Sequence, residues 1–352
     1  MRPSTGGNRN SRSTLPMKTK ILDVTLRDGS YELDFQVSGE DEIQVGKALM
    51  RAGIEYVELG HGQGLNASSP QHGVAQCTDL EYLEIAEEHL CGMKYGFFCI
   101  PGIARLEDLN LLKNHGGYFV RVGANADLKS QESTIPFIER AKELGLVVFA
   151  NYMKTYCAPP DLFEQCVKIS DRAGADYLTI VDSAGCMFPE DIKMYYDIIK
   201  NTAQREVGVG FHGHDNLGYA VYNTVYAATL GCEFIDTSLQ SLGRGAGNAS
   251  TEQVIAVLQR KYDFNEYSLP ELMQFSEDYL RPKVKFKGVS GLDTYCGIAG
   301  FHSGYMNSIR KVAKEFAISP YTLIVEYCKH DRIYMDEELL REIANKIQHE
   351  EA

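Results

Sequence analysis

The sequence predicts an α/β protein built as a (β/α)8 TIM barrel with a C-terminal helical appendage. Short runs rich in β-branched and aromatic residues alternate with longer amphipathic runs, and eight such pairs fill residues 20–264. A doubly wound open sheet is the alternative. It usually has fewer strands and a glycine-rich turn after the first one, whereas the first turn here reads "LRDGS".

The predicted strands and helices follow from the spacing of apolar residues. The strands are 20–26, 56–61, 94–100, 118–123, 147–152, 177–182, 207–212 and 234–239. The clearest helices are 38–53, 160–174 and 189–201. In the first of them an apolar stripe recurs at i, i+3, i+4 and i+7, as in an amphipathic helix. That stripe consists of Val45, Ala48, Leu49 and Ala52. Glycines that can take the left-handed conformation close several helices. These are Gly53, Gly116, Gly145, Gly174 and Gly231.

The chain divides into three parts by composition. Residues 1–16 are polar, rich in Gly, Ser and Asn, and lack the apolar core of a signal peptide, so they predict a disordered N-terminal extension. The barrel domain covers residues 17–264 and starts at Met17. Residues 265–352 are helical by period, with a basic interruption "KVKFKG". They predict a helical C-terminal domain that packs on the barrel and contributes residues to its site.

Charge and cysteine usage exclude several classes of protein. The 352 residues carry 35 Lys and Arg against 48 Asp and Glu, a formal net charge of −13. This balance argues against nucleic-acid partners and anionic membrane surfaces. No apolar run reaches the roughly 18 residues of a membrane span. Nine scattered cysteines without a C-x-x-C pair indicate reduced, mostly buried thiols of a cytoplasmic protein.

The candidate chemistry lies where strands end, because TIM-barrel active sites are built at the C-terminal ends of the strands. Arg27 and Asp28 follow the first strand. His212 and His214, two residues apart at the end of the seventh, point to the same side of an extended chain. Together with Asp28 they form an N,N,O set that leaves positions open on a divalent metal. An H-x-H pair alone is more often structural than metal-binding. Asp215 is the alternative carboxylate, although its side chain should point to the opposite side.

Two glycine-containing loops allow two interpretations each. The loop with Gly243, Gly245 and Gly247 after strand eight either cradles an anion or forms a tight, barrel-closing turn. His61, between two glycines after strand two, either lines the mouth of the barrel or caps a turn. Asn216 is placed to support the metal ligands.

Several motifs resemble a known group of enzymes. "LRDG" after strand one, "HGHDN" at strand seven and "GRGAGNASTE" after strand eight resemble the metal-dependent aldolase and Claisen-condensing barrels. That superfamily includes isopropylmalate synthase and hydroxymethylglutaryl-CoA lyase. The stretches "DVTLRDGS", "HGQGLNASS", "VDSAG", "GRGAGNA" and "GIAGFHS" are similar to the 4-hydroxy-2-oxovalerate aldolase family of class II pyruvate aldolases. The likeness runs from about residue 19 to the end of the chain.

The resemblance implies a carbon–carbon lyase that splits a 4-hydroxy-2-oxo acid into pyruvate and a short aldehyde, or joins them. It implies that a divalent ion, commonly Mn²⁺ in this family, is held by Asp28, His212 and His214. Mg²⁺, Co²⁺ and Zn²⁺ are the alternatives. It also implies that Arg27 stabilises the enolate oxygen of pyruvate as charge develops there. The remaining substrate contacts it implies are Ser183, Asn216 and His61.

One departure from the family pattern concerns proton transfer. The family has a histidine three residues after the aspartate, acting as base on the 4-hydroxyl, where this sequence has Tyr31. It has a tyrosine in the C-terminal segment where this sequence has His302. We therefore expect His302 to be the base, with an ordinary pKa near roughly 6.5, and Tyr31 to donate a hydrogen bond. The rival interpretation is a different aldehyde, stereochemistry or condensation.

Two broader alternatives stay open on the sequence. One is an acyl-CoA-dependent Claisen condensing enzyme or lyase of the isopropylmalate synthase or hydroxymethylglutaryl-CoA lyase type. The other concerns partners besides the small 2-oxo acid and aldehyde. The helical appendage would dock an acylating aldehyde dehydrogenase, as the resemblance implies, in a homo-oligomer or hetero-complex.

Overall fold

The structure, a computed structural model, describes residues 19–284 and 291–351. Eight parallel strands pair in sequence order, and β1 closes the sheet by pairing with β8. The predicted (β/α)8 barrel with C-terminal helices is therefore confirmed. The predicted extension over residues 1–16 and the start at Met17 lie outside the described residues.

The strands lie where the sequence predicts them, with differences at their ends. They are β1 (Lys20–Asp23), β2 (Tyr56–Leu59), β3 (Lys94–Cys99), β4 (Phe119–Asn125), β5 (Val147–Met153), β6 (Tyr177–Asp182), β7 (Gly208–Gly213) and β8 (Phe234–Thr237). β1 ends three residues earlier than predicted. There the Asp23 carboxylate accepts a hydrogen bond from the Thr25 backbone N–H at 2.9 Å, and a 3₁₀ turn begins at Asp28. The apolar run continues beyond the strand because these residues are buried in the turn.

The helices alternate with the strands and then continue alone. They are α1 (Gly39–Arg51), α2 (Asp79–His89), α3 (Leu106–Asn114), α4 (Leu128–Glu132), α5 (Ile135–Glu143), α6 (Pro160–Ala173), α7 (Pro189–Thr202), α8 (Ala220–Leu230), α9 (Thr251–Tyr262), α10 (Leu269–Phe275), α11 (Gly291–Ala299), α12 (Met306–Glu315), α13 (Pro320–Tyr327) and α14 (Glu337–Glu351). One-turn 3₁₀ helices cover Asp28–Leu33, Thr155–Cys157, Leu239–Ser241 and Ser303–Tyr305, and a π-helical turn covers Ser276–Leu280.

Helix α1 shows why these segments are helical. Ser38 and Asp41 form a reciprocal capping box, in which each side chain accepts a hydrogen bond from the other's backbone N–H. The predicted stripe from Val45 to Ala52 is buried against the barrel. Gly53 follows with φ +85°, a left-handed conformation that reverses the chain toward β2.

The inside of the barrel is layered. Near the N-terminal ends of the strands it is filled by an apolar cluster. That cluster consists of Leu22, Val24, Tyr56, Phe119, Phe149 and Phe234. Two residues further along their strands come three buried charges, Glu58, Arg121 and Asp236. An apolar floor therefore supports a charged layer, and the mouth of the barrel lies above it.

The C-terminal helices have a core of their own. Helix α10 and the π turn pack into the core cluster of the barrel, through Leu272, Phe275 and Leu280. A second cluster runs from Cys296 to Ile347. The change between the two clusters comes later in the chain than the boundary predicted after residue 264, because α10 packs against α1. Among the helices that the structure describes, none has the length and apolarity needed to cross a membrane.

Glu42 in α1 gives a prediction about stability and pH. Its side chain is fully buried, and neither carboxylate oxygen has a hydrogen-bond partner in the described part of the chain. Burial raises its pKa to about 9, from 4.5. Between those values the unfolded chain releases a proton that the folded chain retains, so rising pH favours unfolding. We compare the free energy of unfolding of Glu42→Gln with that of the wild type. This difference should be more favourable to the variant at about pH 8 than at about pH 5, by about 1 kcal/mol or more.

Urea denaturation at the two pH values measures this difference. Glu84→Gln, at an exposed position of α2, is the matched control and should show no such gain. A Glu42→Gln advantage that is the same at both pH values would contradict the buried, protonated carboxyl.

Candidate active site

A cavity of about 290 Å³ lies at the C-terminal mouth of the barrel. This volume is at the lower end of the roughly 300–1,000 Å³ range of small-molecule sites. Its walls come from the ends of β2 to β7, from the turn after β1, from the loop after β8 and from residues 302–305. The helical appendage therefore contributes to the site, as expected.

Asp28, His212 and His214 come together at this mouth. All three are buried, and one ligand atom from each lies within 4.8 Å of the others. The two imidazole Nε2 atoms are 3.4 Å apart, and His214 Nε2 is 3.9 Å from Asp28 Oδ2. The structure thus groups the three predicted metal ligands, with His212 lining the cavity.

Neighbouring groups orient the three ligands. His212 Nδ1 lies 3.0 Å from Asp236 Oδ2, and His214 Nδ1 lies 3.2 Å from the Arg244 carbonyl oxygen. Both rings therefore turn Nε2 toward the space beside Asp28. The Asn248 amide donates to Asp28 Oδ2 at 2.8 Å. Imidazoles held by an acceptor on the other nitrogen, beside a carboxylate, are the donor set that a divalent metal ion requires.

Electrostatics keep Asp28 and His214 in the protonation states that a metal needs. Burial alone would raise the pKa of Asp28, but the Arg27 guanidinium, His214 and Arg244 lower it well below its ordinary value, so it is ionised. Burial lowers the pKa of His214 to about 3, and the cationic Arg244 adds to this effect against the opposing charge of Asp28. His214 is therefore neutral near pH 7.

Asp215, the alternative carboxylate, takes no part in this group. Its Oδ1 accepts a hydrogen bond from the Ala220 backbone N–H at 2.8 Å and so fixes the first residue of α8. It lies between the two histidines in the chain, and the alternation of an extended chain directs it away from them.

Arg27 is fixed beside the candidate metal ligands. Its Nε donates to Glu58 Oε2 at 2.7 Å and its Nη1 to Asp28 Oδ1 at 2.6 Å. The guanidinium lies 4.9 Å from the centre of the Phe98 ring. Burial would lower its pKa, but Glu58 and Asp28 raise it above the ordinary value, so the charge is permanent. Arg27 lines the cavity.

Sequence reasoning missed the ion pairs beneath this site. Arg121 Nη1 donates to Glu58 Oε2 at 3.2 Å, and Arg121 Nη2 donates to Asp236 Oδ2. All three side chains are almost fully buried. A signal was present, since each charge interrupts an apolar strand, in "YVELG", "VRV" and "FIDTS". Such charges are rarely buried without partners.

Tyr31 and His302, which we expect to be exchanged relative to the family pattern, both line the cavity and so face the same space. Arg244 contacts both of them. Its guanidinium carbon is 5.1 Å from the Tyr31 ring centre, and its Nη1 lies 2.8 Å from His302 Nε2 and 3.3 Å from His302 Nδ1.

The expected ordinary pKa of His302 is wrong. Burial lowers it well below 6.5, and the positive charges of Arg244 and Lys154 lower it further. His302 is therefore neutral near pH 7. The sequence could not show this effect, because Arg244 is distant from His302 along the chain.

The three predicted substrate contacts have different surroundings. Ser183 lines the cavity, and its hydroxyl accepts a hydrogen bond from the Lys154 backbone N–H at 3.0 Å. Asn216 does not line it. Its amide donates to the Ala184 carbonyl and accepts from the Ala246 N–H, each at 2.9 Å, which ties the loops after β6 and β8 together.

His61 also stands behind the cavity wall. Its Nδ1 accepts from the Gln63 backbone N–H at 3.0 Å, and its ring stacks on Phe35 at 4.1 Å. The turn-capping alternative therefore describes it. Its neighbours Gly62 and Gln63 line the cavity instead. A Cβ at Gly62 would lie 2.4 Å from the Tyr31 ring, so a side chain there would displace Tyr31.

The glycine loop after β8 is a tight turn. A Cβ at Gly245 would lie 2.6 Å from Asn216 Oδ1, and one at Gly247 would lie 2.0 Å from the Ser241 carbonyl oxygen. The missing side chains allow the loop to pack on the protein and to place Arg244 and Asn248 at the site.

Lys154, directly after β5, is a further cavity residue that the sequence did not single out. It is buried, with its ammonium donating to the Tyr305 hydroxyl at 3.0 Å and to the Ile333 carbonyl. It thus joins the barrel to the helical appendage at the wall of the cavity.

Comparisons with known proteins agree with this geometry. A family model described as HMGL-like matches residues 118–278. 4-Hydroxy-2-oxovalerate aldolase of Carboxydothermus hydrogenoformans is 31% identical over 94% of this chain and 97% of its own. The enzyme of the same name from Moorella thermoacetica is 32% identical over 93% and 96%.

Solved structures share the fold at lower identity. The carboxyl transferase domain of Rhizobium etli pyruvate carboxylase has a TM-score of 0.76 at 12% identity, over 95% of this chain and 61% of that one. HMG-CoA lyase of Bacillus subtilis has a TM-score of 0.62 at 19% identity, over 77% of this chain and 95% of that one.

The hydrogen bond between His212 and Asp236 gives a prediction about metal affinity. Asp236→Asn removes the carboxylate that orients the ring, so Mn²⁺ affinity should fall roughly 10- to 100-fold. Isothermal titration calorimetry measures it, on protein whose folding is checked by its melting curve. Asp215→Asn, next to both histidines but capping α8, is the matched control and should bind Mn²⁺ like the wild type. Equal losses in the two variants would contradict the assignment.

Proposed function

The chain belongs to the 4-hydroxy-2-oxovalerate aldolase family, and on that premise we propose that it cleaves a 4-hydroxy-2-oxo acid into pyruvate and a short aldehyde, or joins them. It is a carbon–carbon lyase by this membership. The observation that supports the proposed substrate is the buried group of Asp28, His212 and His214 with Arg27 beside it.

The residues present fit a divalent metal ion. Asp28, His212 and His214 would hold it, and we propose Mn²⁺, with Mg²⁺, Co²⁺ and Zn²⁺ as alternatives. When bound, the ion supplies Lewis acidity toward the oxygens of a 2-oxo acid.

Arg27 stabilises the charge that bond cleavage creates. When the C3–C4 bond breaks, its electron pair stays with the pyruvate half as an enolate, with negative charge on the C2 oxygen. Two nitrogens of the guanidinium are held by Glu58 and Asp28, while Nη2 has no hydrogen-bond acceptor among the described residues. A fixed donor of this kind acts on charge as it develops and needs no reorganisation.

His302 and Tyr31 act on the 4-hydroxyl group in the proton-transfer step. Neutral His302 takes the proton of the 4-hydroxyl as the C3–C4 bond breaks and the C4–O bond becomes the aldehyde carbonyl. Tyr31, whose pKa is raised by burial, stays protonated and donates a hydrogen bond to the same oxygen. The enolate then takes a proton from water at C3 and leaves as pyruvate, and protonated His302 returns its proton to solvent. Ser183 contributes a hydroxyl to the cavity wall.

We also propose a protein partner and a cellular location, and the support for both lies outside the active site. We propose docking of an acylating aldehyde dehydrogenase on the helical appendage, in a hetero-complex or with homo-oligomers. The separate hydrophobic core of α11–α14 supports a distinct module. We propose a cytoplasmic location on the nine free cysteines. Affinity purification of the tagged full chain, with or without a co-eluting dehydrogenase, tests the partner.

Replacing His302 should separate the two halves of the reaction. His302→Ala should lower retro-aldol cleavage of 4-hydroxy-2-oxo acids by roughly 100-fold or more, because the base on the 4-hydroxyl is lost. Exchange of the pyruvate methyl protons with D₂O should survive, since it needs only the metal ligands and Arg27. Cleavage is followed as pyruvate release and exchange by NMR.

His330→Ala, at an exposed position of the appendage, is the control for this experiment and should cleave like the wild type. Wild-type cleavage rates in His302→Ala would remove His302 from the proton-transfer step.

Metal removal tests the enzyme class. Chelation with EDTA should abolish both cleavage and exchange, and added Mn²⁺ should restore them, since the three ligands have no other role near the substrate. With the metal restored, pyruvate plus an aldehyde should react while acetyl-CoA plus a 2-oxo acid should not. Condensation with acetyl-CoA alone would favour the Claisen-type alternative.

A further inference from the structure

The cavity at the mouth of the barrel is lined by three cationic side chains. Arg27, Lys154 and Arg244 line it, and no aspartate or glutamate is among its lining residues in the described part of the chain. The charge of Arg27 is matched by Glu58 at 2.7 Å and Asp28 at 2.6 Å. Among the residues that the structure describes, Lys154 and Arg244 have no comparable partner.

Lys154 is buried with neutral acceptors only. It is 3% exposed, and its ammonium donates to the Tyr305 hydroxyl and the Ile333 carbonyl. It forms no ion pair with any residue that the structure describes. Burial lowers its pKa to about 8, so it is still mostly protonated at pH 7. A buried cation without an anion is costly for the fold, and an anionic ligand would offset that cost.

Arg244 is similarly under-paired. Its nearest carboxylate oxygen, Asp28 Oδ1, lies 3.8 Å from Nε, and Nε is buried without a hydrogen-bond acceptor in the described residues. Asp28 is also the proposed metal ligand and an ion-pair partner of Arg27. Within the described part of the chain, the short contacts of the Arg244 guanidinium are with neutral His302.

We propose that the aldehyde half of the substrate carries an anionic group, a carboxylate or a phosphate, that pairs with Lys154 and Arg244. This inference rests on the proposed function, which places the pyruvate half beside Arg27 and the metal ligands. Both cations lie in the same small cavity as those groups, at the wall that β5, the loop after β8 and the helical appendage share. Charge-assisted hydrogen bonds from an ammonium and a guanidinium are the strong contacts that such a group would receive.

The placement brings substrate choice close to proton transfer. Arg244 Nη1 lies 2.8 Å from His302 Nε2 and 3.3 Å from His302 Nδ1, so an anion bound by Arg244 lies next to the proposed base.

Matched aldehydes test the proposal on the full-length, Mn²⁺-loaded enzyme with pyruvate. Succinic semialdehyde is compared with butanal, and glyceraldehyde 3-phosphate with glyceraldehyde. We expect kcat/KM to be roughly 10- to 100-fold higher for at least one anionic member of a pair. The two pairs distinguish carboxylate from phosphate. Equal or higher values for both neutral members would overturn the proposal.

Variants of Lys154 and Arg244 test whether these residues cause the preference for anionic aldehydes. Lys154→Met and Arg244→Met should each reduce the anionic-to-neutral ratio of kcat/KM toward one, while Lys154→Arg should retain most of it. Lys113→Met, at an exposed position of α3, should leave the ratio unchanged. A ratio that persists in both Met variants would overturn the assignment to these residues, and the wild-type comparison stands even if one variant fails to fold.

Proton exchange separates this proposal from the proposed function. Exchange of the pyruvate methyl protons without any preference for anionic aldehydes overturns the anionic-group inference alone. Absence of both exchange and cleavage overturns the aldolase reaction itself. If the Met variants raise the KM of pyruvate in the exchange assay and leave the aldehyde ratio intact, the two cations serve the pyruvate carboxylate, and the inference fails.

Discussion

The guanidinium of Arg121, buried at the centre of the barrel, is the constraint on which the rest of the site depends. It binds Glu58 on one side and Asp236 on the other. Glu58 in turn holds Arg27, and Asp236 orients His212. The proposed enolate-stabilising group and the proposed metal ligands are therefore fixed to the same cation. Since these charges are almost fully buried, each keeps its position only while its partners keep theirs. This rigidity is what a preorganised electrostatic site requires.

The two parts of the chain divide the proposed chemistry between them. The barrel supplies the groups that carry fixed charge, on strand ends supported by the charged layer beneath. The helical appendage supplies His302 and Tyr305, which complete the wall of the cavity. Arg244, in the tight glycine turn after β8, connects the two sets, because it contacts Tyr31 from the barrel and His302 from the appendage. Tyr31 and His302 thus face one space, although they come from distant segments of the chain.

Much of the fold and the set of candidate metal ligands could be predicted from the sequence, because both follow from the spacing of residues along the chain. Strand and helix periods fixed the barrel, and the alternation of an extended chain put His212 and His214 on one side. Long-range pairing was harder to see. Asn216 and His61 look like site residues in the sequence, yet nearby backbone groups satisfy them behind the cavity wall. The predicted pKa of His302 was wrong because the pKa is lowered first by burial and then by Arg244 and Lys154, which lie in other loops. Glu58, Arg121 and Asp236 were visible as charges in strands, but only the register of the barrel shows that they pair.

Lys154 has a consequence for the whole molecule. Its ammonium is shared between the inside of the cavity and the carbonyl of Ile333, in the segment between α13 and α14. Any ligand that draws this ammonium inward weakens its hold on that segment. A partner that presses this segment against the barrel strengthens the hold of the ammonium on the segment. Ligand affinity and the packing of the appendage on the barrel are then coupled, and the coupling free energy is the same in both directions. Through Lys154, ligand binding in the cavity would thus be coupled to the packing of the segment between α13 and α14 on the barrel.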